Sequence, residues 1–336
     1  MNRSLERWQL IGLAALAAIV LLIPVYDDWE SVQILLPSID RALASYPAPV
    51  HVLLVDDGSS VPASDYQFDG LYEHIVQVDV LHLKRNLGHQ RAIAIALYHA
   101  HAHLSFRALL IMDGDGEDRA EDVPKLLAEF DRLSGARIVF AQRMKRLESV
   151  TFRVFYHLYR LAHLLLTGVA VRVGNFSVLP FGAVASLMVN SDLWNHYAAS
   201  VFRSRIPYRL LPLPRGARLR GQSKMNFFSL LIHGLSAISV FGDVVSVRLL
   251  AVAGVGFLAT LPLLLLADTG IAVWALVIIA WQALTAAILL VFRTVGSRSH
   301  MSFLPARDAH YFVQEAQTVY AAHDQPQLHR LRVGHL

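Results

Sequence analysis

The 336-residue chain contains no cysteine. This absence excludes disulfide frameworks and thiolate metal sites, because both need cysteine sulfur, and it is compatible with a reducing compartment. Charged residues are also scarce, at 17% of the chain, whereas hydrophobic residues make up 55%. That composition is too apolar for a cytosolic domain of this length, so we expect part of the chain to lie in a lipid bilayer.

The N-terminal segment has the composition of a signal peptide or a short anchor. Arg3 and Arg7 precede an apolar run over residues 10–25. The run becomes β-branched at residues 19–23 and passes directly into a polar loop, which is typical of a strand. We therefore expect no cleavage, with residues 1–17 forming a helical segment at or near the membrane; an additional anchor is the alternative.

The most informative stretch is an acidic turn, defined here as residues 113–118. It follows the apolar run at residues 108–112, which is typical of a buried strand that delivers polar groups to the ligand-binding edge of a sheet. Asp113 and Asp115 are predicted to bind one hard cation, Mg²⁺ or Mn²⁺, with Glu117 adding a third oxygen. Taken alone, an ordinary solvated turn before a helix explains the pattern equally well.

Strand-like and helix-like segments alternate on both sides of this turn. Further strands are predicted at residues 50–55, 78–83 and 137–141, and helices at residues 29–45, 90–104, 123–133 and 153–166. Repeated strand–helix units indicate an α/β fold with a doubly wound, mostly parallel sheet. The polar loops then share one sheet edge, and this convergence favours a binding site over an isolated turn.

Several motifs, in chain order, resemble those of the family 2 glycosyltransferases. They are Pro24-Val-Tyr26, Asp56-Asp57-Gly58-Ser59, Asn86-Leu87-Gly88, Asp113-Gly114-Asp115-Gly116-Glu117 and the stretch from Arg218 to Lys224. Within that family, residues 18–293 resemble the polyprenyl-phosphate glycosyltransferases, the group containing dolichyl-phosphate mannose synthase and the bactoprenol glucosyltransferases. The resemblance implies a GT-A fold over residues 18–224.

The resemblance also implies a nucleotide-sugar site. The matching donor-binding positions are Pro24, Tyr26, Asp28, Asp56, Asp57 and Asp113. Asp28 stands where the family usually has Glu. Asp113 and Asp115 match the metal-binding acids, and Asp115 is counted among the catalytic residues because the cation neutralises the diphosphate leaving group. Glu117, the third predicted metal ligand, falls where Gln is common in the lipid-phosphate branch.

The resemblance also implies a binding site for the acceptor, formed mainly by basic residues. The positions matched to the acceptor phosphate are Arg143, Arg153, His157, Arg218, Ser223 and Lys224. Guanidinium groups address phosphate oxygens in pairs, and Arg143 and Arg153 are implied to be catalytic. His157 occupies the place of a phosphate-contacting Ser in some relatives, although a helix-surface histidine explains it equally well. A basic loop that only binds lipid headgroups is the alternative for residues 218–224.

Asn175 departs from the family pattern. Related enzymes often carry Asp there, discussed as a catalytic base, and an amide cannot take that role. A phosphate acceptor is already largely ionised near neutral pH and needs little proton abstraction, whereas an alcohol needs more help. Asn175 therefore favours a lipid-phosphate acceptor, and it also leaves room for altered or lost activity.

Two apolar runs, residues 249–267 and 271–292, are each long enough to cross a hydrocarbon core, which takes about 20 residues. Only three residues separate them, which predicts a transmembrane hairpin; a buried soluble pair is the alternative. The flanking basic residues are Arg215, Arg218, Arg220, Lys224 and Arg248 before the hairpin, and Arg293 and Arg298 after it. By the positive-inside rule, both ends and the catalytic domain face the cytoplasm.

The remaining boundaries follow from this hairpin. Residues 225–243 are predicted to form an amphipathic helix in the membrane interface, and residues 244–293 the two transmembrane helices. Residues 294–336 are predicted to form a cytoplasmic tail with a short helix near residues 309–322.

The sequence thus predicts an inverting, metal-dependent hexosyltransferase of the inner (cytoplasmic) membrane. Its expected partners are a UDP- or GDP-linked sugar donor, a polyprenyl (undecaprenyl or dolichyl) phosphate acceptor and the lipid bilayer. No nucleic acid is expected as a partner. Association into a homo-oligomer is possible. One alternative is transfer to a saccharide hydroxyl. The other is a catalytically silent subunit of a glycan-assembly complex.

Overall fold

A computed structural model of the protein describes residues 18–46, 48–68, 72–143, 150–170, 173–221, 227–266, 269–299 and 303–322. The helix predicted over residues 1–17 lies outside the described residues, as do Ser223 and Lys224. For Arg143, Arg153 and His157 only the backbone is described.

The chain forms two compact units. The sheet unit comprises Met1–Leu147, Arg172–Phe227 and Phe303–Leu336, and the helical unit comprises Glu148–Val171 and Phe228–Ser302. The chain therefore leaves the sheet unit twice and returns to it after each excursion.

The sheet unit is built on one eight-stranded mixed sheet. The strands are β1 (Ile19–Val25), β2 (Val50–Asp56), β3 (Ile75–Leu83), β4 (Ala108–Ile111), β5 (Ile138–Arg143), β6 (Ser177–Pro180), β7 (Tyr208–Leu213) and β8 (Val313–Ala321). Their spatial order is β7-β5-β6-β4-β1-β2-β3-β8. β6 and β8 run antiparallel to their neighbours, and the other pairings are parallel. The predicted mostly parallel α/β sheet is confirmed.

Ten α-helices are described in the two units. The sheet unit contains α1 (Trp29–Leu43), α2 (His89–His103), α3 (Val123–Arg132), α5 (Phe181–Met188), α6 (Tyr197–Arg203) and α10 (Pro305–Asp308). The helical unit contains α4 (Val150–Thr167), α7 (Phe227–Ser239), α8 (Gly242–Leu266) and α9 (Thr269–Ser299). The helices predicted before β2, after β3 and after the acidic turn are therefore present.

Strand β1 lies at the centre of the sheet and is buried at every position. Ile19, Leu21 and Ile23 belong to one apolar cluster, whereas Val20 and Leu22 belong to a second. Successive side chains of a strand point to opposite faces, so these two clusters lie on the two sides of the sheet. A strand covered on both faces reads as a continuous apolar run, which explains its resemblance to an anchor.

The C-terminal stretch differs from its prediction. We expected a helix near residues 309–322, but only a short 3₁₀ turn at Ala309–Phe312 precedes β8. β8 pairs antiparallel with β3, and the Thr318 hydroxyl donates to the buried Asp79 carboxylate at 2.7 Å. The helix prediction was wrong because the free edge of β3 offers this stretch hydrogen bonds that its local sequence does not reveal.

The two apolar runs form the long helices α8 and α9. Their most apolar windows, Gly242–Pro262 and Gly270–Leu289, have mean hydropathies of 2.1 and 2.2, and 0% and 6% of their residues are buried. Both helices are therefore long and apolar enough to cross a membrane, and neither is a buried core helix. A helix is present within the predicted range 225–243, as α7 over Phe227–Ser239, and its place in the membrane interface stays a prediction.

Candidate active site

Three polar loops meet at one edge of the sheet. β1 is paired in parallel with β2 on one side and with β4 on the other. The loops that follow these strands begin at Tyr26, Asp57 and Met112, so they leave the sheet at its carboxyl-terminal edge. The Asp57 N–H still donates to the Val25 carbonyl at 2.9 Å, which holds the first two loops side by side. The predicted convergence of acidic loops is confirmed.

The acidic turn is shaped by its own carboxylates. The Glu117 N–H donates to Asp115 Oδ1 at 2.9 Å, and the Asp113 N–H donates to Asp118 Oδ2 at 2.9 Å. Gly116 has φ 84°, and a Cβ there would lie 2.4 Å from Leu219 Cγ. Only glycine fits, both because the backbone is left-handed and because another segment passes directly over it.

That segment is a basic strap, defined here as residues 215–220. Its backbone is tied to the turn, since the Leu219 N–H donates to the Asp115 carbonyl and the Gly216 N–H donates to the Glu117 carbonyl, both at 2.9 Å. Because the strap follows β7, about 100 residues after the turn, only the fold brings the two together.

Two arginines of the strap pair with the predicted donor and metal acids. Arg218 Nη1 lies 3.0 Å from Asp115 Oδ2, while its Nη2 donates to the Asp28 carboxylate. Arg215 forms an ion pair with Glu117. A single guanidinium thus joins the loop after β1 to the turn after β4. Arg218 was predicted to bind the acceptor phosphate. In the structure it instead contacts Asp28, predicted to bind the sugar donor, and Asp115, predicted to bind the metal.

The acidic turn can be tested for its fit to Mg²⁺ or Mn²⁺. Burial raises the pKa of Asp115, and the neighbouring Asp113 carboxylate raises it further, so these acids are close enough to repel each other. Among the described residues, however, no group of three or more acidic or histidine side chains is arranged around a common point as metal ligands. Mg²⁺ commonly takes one or two carboxylates and completes its shell with phosphate and water. The Asp113 and Asp115 pair fits that pattern, and Glu117 as a third ligand stays a prediction.

The acids after β2 shape neighbouring loops. Asp57 accepts hydrogen bonds from the N–H groups of Leu87 and Gly88 at 2.7 and 2.9 Å. Burial raises the pKa of Asp57, and these two donors act against that rise. Asp56 accepts from the Ser59 N–H at 2.8 Å and contacts His82 Nδ1 at 2.9 Å. Both carboxylates are therefore buried structural acceptors, and their contact with a nucleotide stays a prediction.

The loop after β1 presents an aromatic side chain. Pro24 lies in β1, and Tyr26 follows the strand with 42% of its surface exposed. The next residue, Asp27, has φ 48°, and its carboxylate accepts from the Ser60 N–H at 2.6 Å. This non-glycine left-handed residue turns the chain sharply and leaves the tyrosine ring at the edge of the site.

His89 lies in the site but was not predicted from the sequence. At the start of α2, its Nε2 lies 3.2 Å from Asp113 Oδ1 and 2.8 Å from Asn175 Nδ2. Partial desolvation lowers the pKa of His89, whose side chain is 41% exposed, but the Asp113 carboxylate and other acids outweigh it, so the net pKa is raised. The signal was its position directly after the Asn86-Leu87-Gly88 motif, at the same sheet edge.

Both the oxygen and the nitrogen of the Asn175 side-chain amide have a partner. The Gln90 amide donates to Asn175 Oδ1 at 3.2 Å, and Gln90 Oε1 in turn accepts from the Tyr197 N–H at 2.7 Å. That chain of contacts orients the Asn175 nitrogen toward His89. Asn175 is thus a buried residue that links Gln90 to His89, at the position where the resemblance implied an acid.

A sequence model of the Glycosyl transferase family 2 matches residues 20–187, which is half of the chain. The chain belongs to this family. The matched residues include the acidic turn, His89 and Asn175. Membership and the mixed eight-stranded sheet together confirm the GT-A fold that the motifs predicted.

Curated relatives and solved structures are similar over part of the chain. An undecaprenyl-phosphate 4-deoxy-4-formamido-L-arabinose transferase from Salmonella choleraesuis is 28% identical over 137 residues, covering 41% of this chain and 40% of the relative. Its counterpart from Klebsiella pneumoniae is 30% identical over 128 residues, covering 38% and 37%. The chain thus spans about two fifths of these relatives. A glucosyl-3-phosphoglycerate synthase from Mycobacterium tuberculosis, crystallised with Mn²⁺ and UDP-glucose, has a TM-score of 0.46 at 15% identity, covering 70% of this chain and 82% of that one.

The predicted acceptor residues of this family 2 chain are divided between the units. Arg143 is the last residue of β5 in the sheet unit, whereas Arg153 and His157 belong to α4 in the helical unit. Of the residues matched to the acceptor phosphate, Arg218 is the one whose side-chain contacts the structure describes. The acceptor role of the others stays a prediction.

Proposed function

We propose that this protein is an inverting glycosyltransferase that moves a sugar from a UDP- or GDP-linked donor to a polyprenyl phosphate. The observation that carries the proposal is the joining of Asp28 and Asp115 at the carboxyl ends of β1 and β4, in a family 2 chain with two apolar helices. The relatives named as undecaprenyl-phosphate transferases support the acceptor class.

The donor binds at the loops after β1, β2 and β4. The Tyr26 ring is exposed at the edge of this region, where it is available to stack on the base, and Asp56 and Asp57 hold the adjoining loops in place. The basic strap lies over the acidic turn, so its Arg215 and Arg218 are within reach of a diphosphate bound there. Guanidinium pairs readily with phosphate oxygens, and a strap closed over the donor excludes water, the competing acceptor.

Asp113 and Asp115 hold Mg²⁺ or Mn²⁺ in this proposal, with Glu117 nearby. When bound, the metal supplies positive charge that stabilises the diphosphate leaving group. The chain contributes its own positive charge through Arg218, which pairs with both Asp28 and Asp115.

The acceptor is a phosphate monoester rather than an alcohol. Arg143, Arg153, His157, Ser223 and Lys224 are proposed to bind it, together with Arg218. Asn175 supports this acceptor class because its amide is used in contacts with Gln90 and His89 and offers no base. An ionised phosphate oxygen attacks the anomeric carbon directly, in line with the departing diphosphate, and a single displacement of this kind inverts the configuration.

The helical unit anchors the enzyme. In this proposal α8 and α9 cross the cytoplasmic membrane as a hairpin, and α7 lies in the interface before them. Basic residues flank the hairpin on both sides and are lacking from its connecting turn, and by the positive-inside rule this supports a cytoplasmic sheet unit.

Mass spectrometry of the lipid product tests the proposal. The full chain, reconstituted in liposomes with Mn²⁺, undecaprenyl phosphate and a pool of nucleotide-sugars, is expected to increase the lipid mass by one sugar residue. Asp115→Asn protein in the same liposomes serves as the control. Sugar transfer to an added saccharide alone would establish the hydroxyl-acceptor alternative. No product with any donor would favour the silent subunit.

A further inference from the structure

The loop between β3 and α2, residues 84–88, is linked to two parts of the candidate site. It packs against the loop after β2, since a Cβ at Gly58 would lie 2.5 Å from the Asn86 nitrogen. It also leads directly into His89, whose Nε2 lies 3.2 Å from Asp113 Oδ1. A shift of residues 84–88 would therefore disturb both the β2 loop and the contact made to the acidic turn.

The segment that follows the hairpin holds the start of this loop. The chain returns to the sheet unit at Phe303, and β8 begins at Val313, whose register partner in β3 is Leu83. One further backbone hydrogen bond runs from the Lys84 N–H to the Phe312 carbonyl, at 3.0 Å. The first residue of the loop is therefore held by a residue that comes far later in the chain.

Side chains of the same segment form an aromatic clasp, defined here as Trp194, Phe303 and Phe312. The ring centroids of Phe303 and Phe312 lie 3.8 and 5.2 Å from that of Trp194, and 6.0 Å from each other. All three rings are partly buried against the apolar cluster to which α2 contributes. Aromatic rings in tilted contact attract each other in addition to the effect of the area they bury, so these contacts stabilise the returning segment against α2.

Arg91 connects the aromatic clasp to the loop. Its guanidinium carbon lies 5.3 Å from the centroid of the Trp194 ring, a cation–π contact. Its Nη1 donates to the Leu87 carbonyl at 3.4 Å, and its backbone N–H donates to the Gly88 carbonyl at 3.0 Å. The N–H groups of Leu87 and Gly88 donate in turn to the Asp57 carboxylate. The end of the loop is thus fixed between a predicted donor-binding acid and the clasp.

We propose that the aromatic clasp is a positioning element for the sugar donor, because it holds residues 84–88 where the donor-binding loops need them. A preorganised loop binds its ligand more tightly, since it loses less conformational freedom when the ligand arrives. The three aromatic residues lie outside residues 20–187, the part of the chain that the family model matches. The inference rests on the proposed function, and it makes the segment after the hairpin part of the donor site's support.

Four variants of the full chain, reconstituted in liposomes, test the inference. Trp194→Ala removes the central ring of the clasp, whereas Trp194→Phe keeps a ring there. Arg91→Gln breaks the link to the loop at an exposed position, which avoids a folding defect in the clasp itself. Tyr311→Ala is the control, because Tyr311 belongs to the same segment and is 65% exposed.

Two measurements report the loop and the donor site. Hydrogen exchange of peptides covering residues 84–88 follows the opening of the loop. Isothermal titration calorimetry with UDP and with GDP, each in the presence of Mn²⁺, gives the nucleotide affinity. The sugar-transfer assay adds kcat and the KM values for the donor and for undecaprenyl phosphate.

We expect faster exchange over residues 84–88, and about tenfold weaker binding of the nucleotide that the unchanged chain binds, in Trp194→Ala and Arg91→Gln. Trp194→Phe and Tyr311→Ala should resemble the unchanged chain. The donor KM should rise by the same factor as the nucleotide affinity falls, while the KM for undecaprenyl phosphate stays the same and kcat changes less. Simple loss of folded protein would lower kcat and leave the donor KM unchanged.

Unchanged exchange over residues 84–88 in both Trp194→Ala and Arg91→Gln would show that the clasp does not hold the loop, and the inference would be wrong. Faster exchange with unchanged nucleotide affinity would show that the clasp stabilises the fold without positioning the donor, which also overturns the inference. If the unchanged chain neither binds UDP or GDP nor transfers sugar, the proposed function is contradicted, and the positioning role fails with it.

Discussion

The two units distribute their apolar side chains in opposite directions. In the sheet unit, β1 and β2 are buried at every position, and the acids of the candidate site lie at or just beyond the strand ends. In the helical unit, almost none of the most apolar residues of α8 and α9 are buried, whereas His163 and Thr167 of α4 are. Burial of apolar surface away from water stabilises the first unit, while the second has the distribution expected in contact with hydrocarbon. The two units thus have the side-chain distributions expected in two different solvents, water and hydrocarbon.

The largest expected effect concerns the charged edge of the sheet unit. Asp115→Asn is expected to lower the transfer rate at least about 100-fold, because it removes a carboxylate proposed to hold the metal and pairs Arg218 with a neutral amide. The measurement is lipid-linked product per membrane-bound enzyme. The exposed Asp65→Asn is the matched control and should keep its rate. Full activity of the Asp115→Asn protein would remove the metal assignment.

Next in size is a charge placed in the helical unit. Val255→Arg puts a guanidinium on the exposed surface of α8, and at the centre of a span this costs about 2.5–3.5 kcal/mol. We expect a smaller carbonate-resistant membrane fraction on cell fractionation. Val189→Arg, the same change at an exposed site of the sheet unit, should leave that fraction unchanged. Equal effects of the two changes would contradict the contrast between the units.

The strap tests how the charged edge is held together. Arg218→Gln removes the guanidinium that joins Asp28 to Asp115 and should raise the donor KM about tenfold, equivalent to about 1.4 kcal/mol. The Leu219 amide should also exchange hydrogen faster, since its acceptor lies on the same turn. Arg220→Gln removes the same charge from the exposed end of the strap and is the control. Unchanged exchange at Leu219 in the Arg218→Gln protein would show that these ion pairs do not hold the strap.

The smallest effect is expected where the chain returns to the sheet unit after the hairpin. Thr318→Val removes the hydroxyl that donates to Asp79 and should lower the free energy of opening β8 by about 1 kcal/mol. Hydrogen exchange of the β8 amides measures this. Thr318→Ser keeps the hydroxyl and should exchange like the unchanged protein. Equal protection in the valine and serine variants would indicate that backbone pairing with β3 alone holds the strand.

The sequence alone was enough to predict the parts of the molecule that depend on local patterns. The apolar strands, the acidic turn at the end of β4 and the apolar helices α8 and α9 were predicted from runs and periodicity. These features follow from the burial of consecutive side chains or from the thickness of a bilayer. Both constraints produce a run of apolar residues that are adjacent in the sequence, so a local pattern reveals them.

Only the tertiary structure decided which distant groups meet. Arg218 bridges Asp28 and Asp115 across 190 and 103 positions, and β8 completes the sheet although its segment was predicted to be helical. His89 is a site residue because the fold brings its ring into contact with Asp113 and Asn175. Hydrogen bonds and ion pairs between segments far apart in the chain depend on how the strands are ordered in space. The sequence shows which groups are able to pair, but it does not show the spatial order of the strands that brings them together.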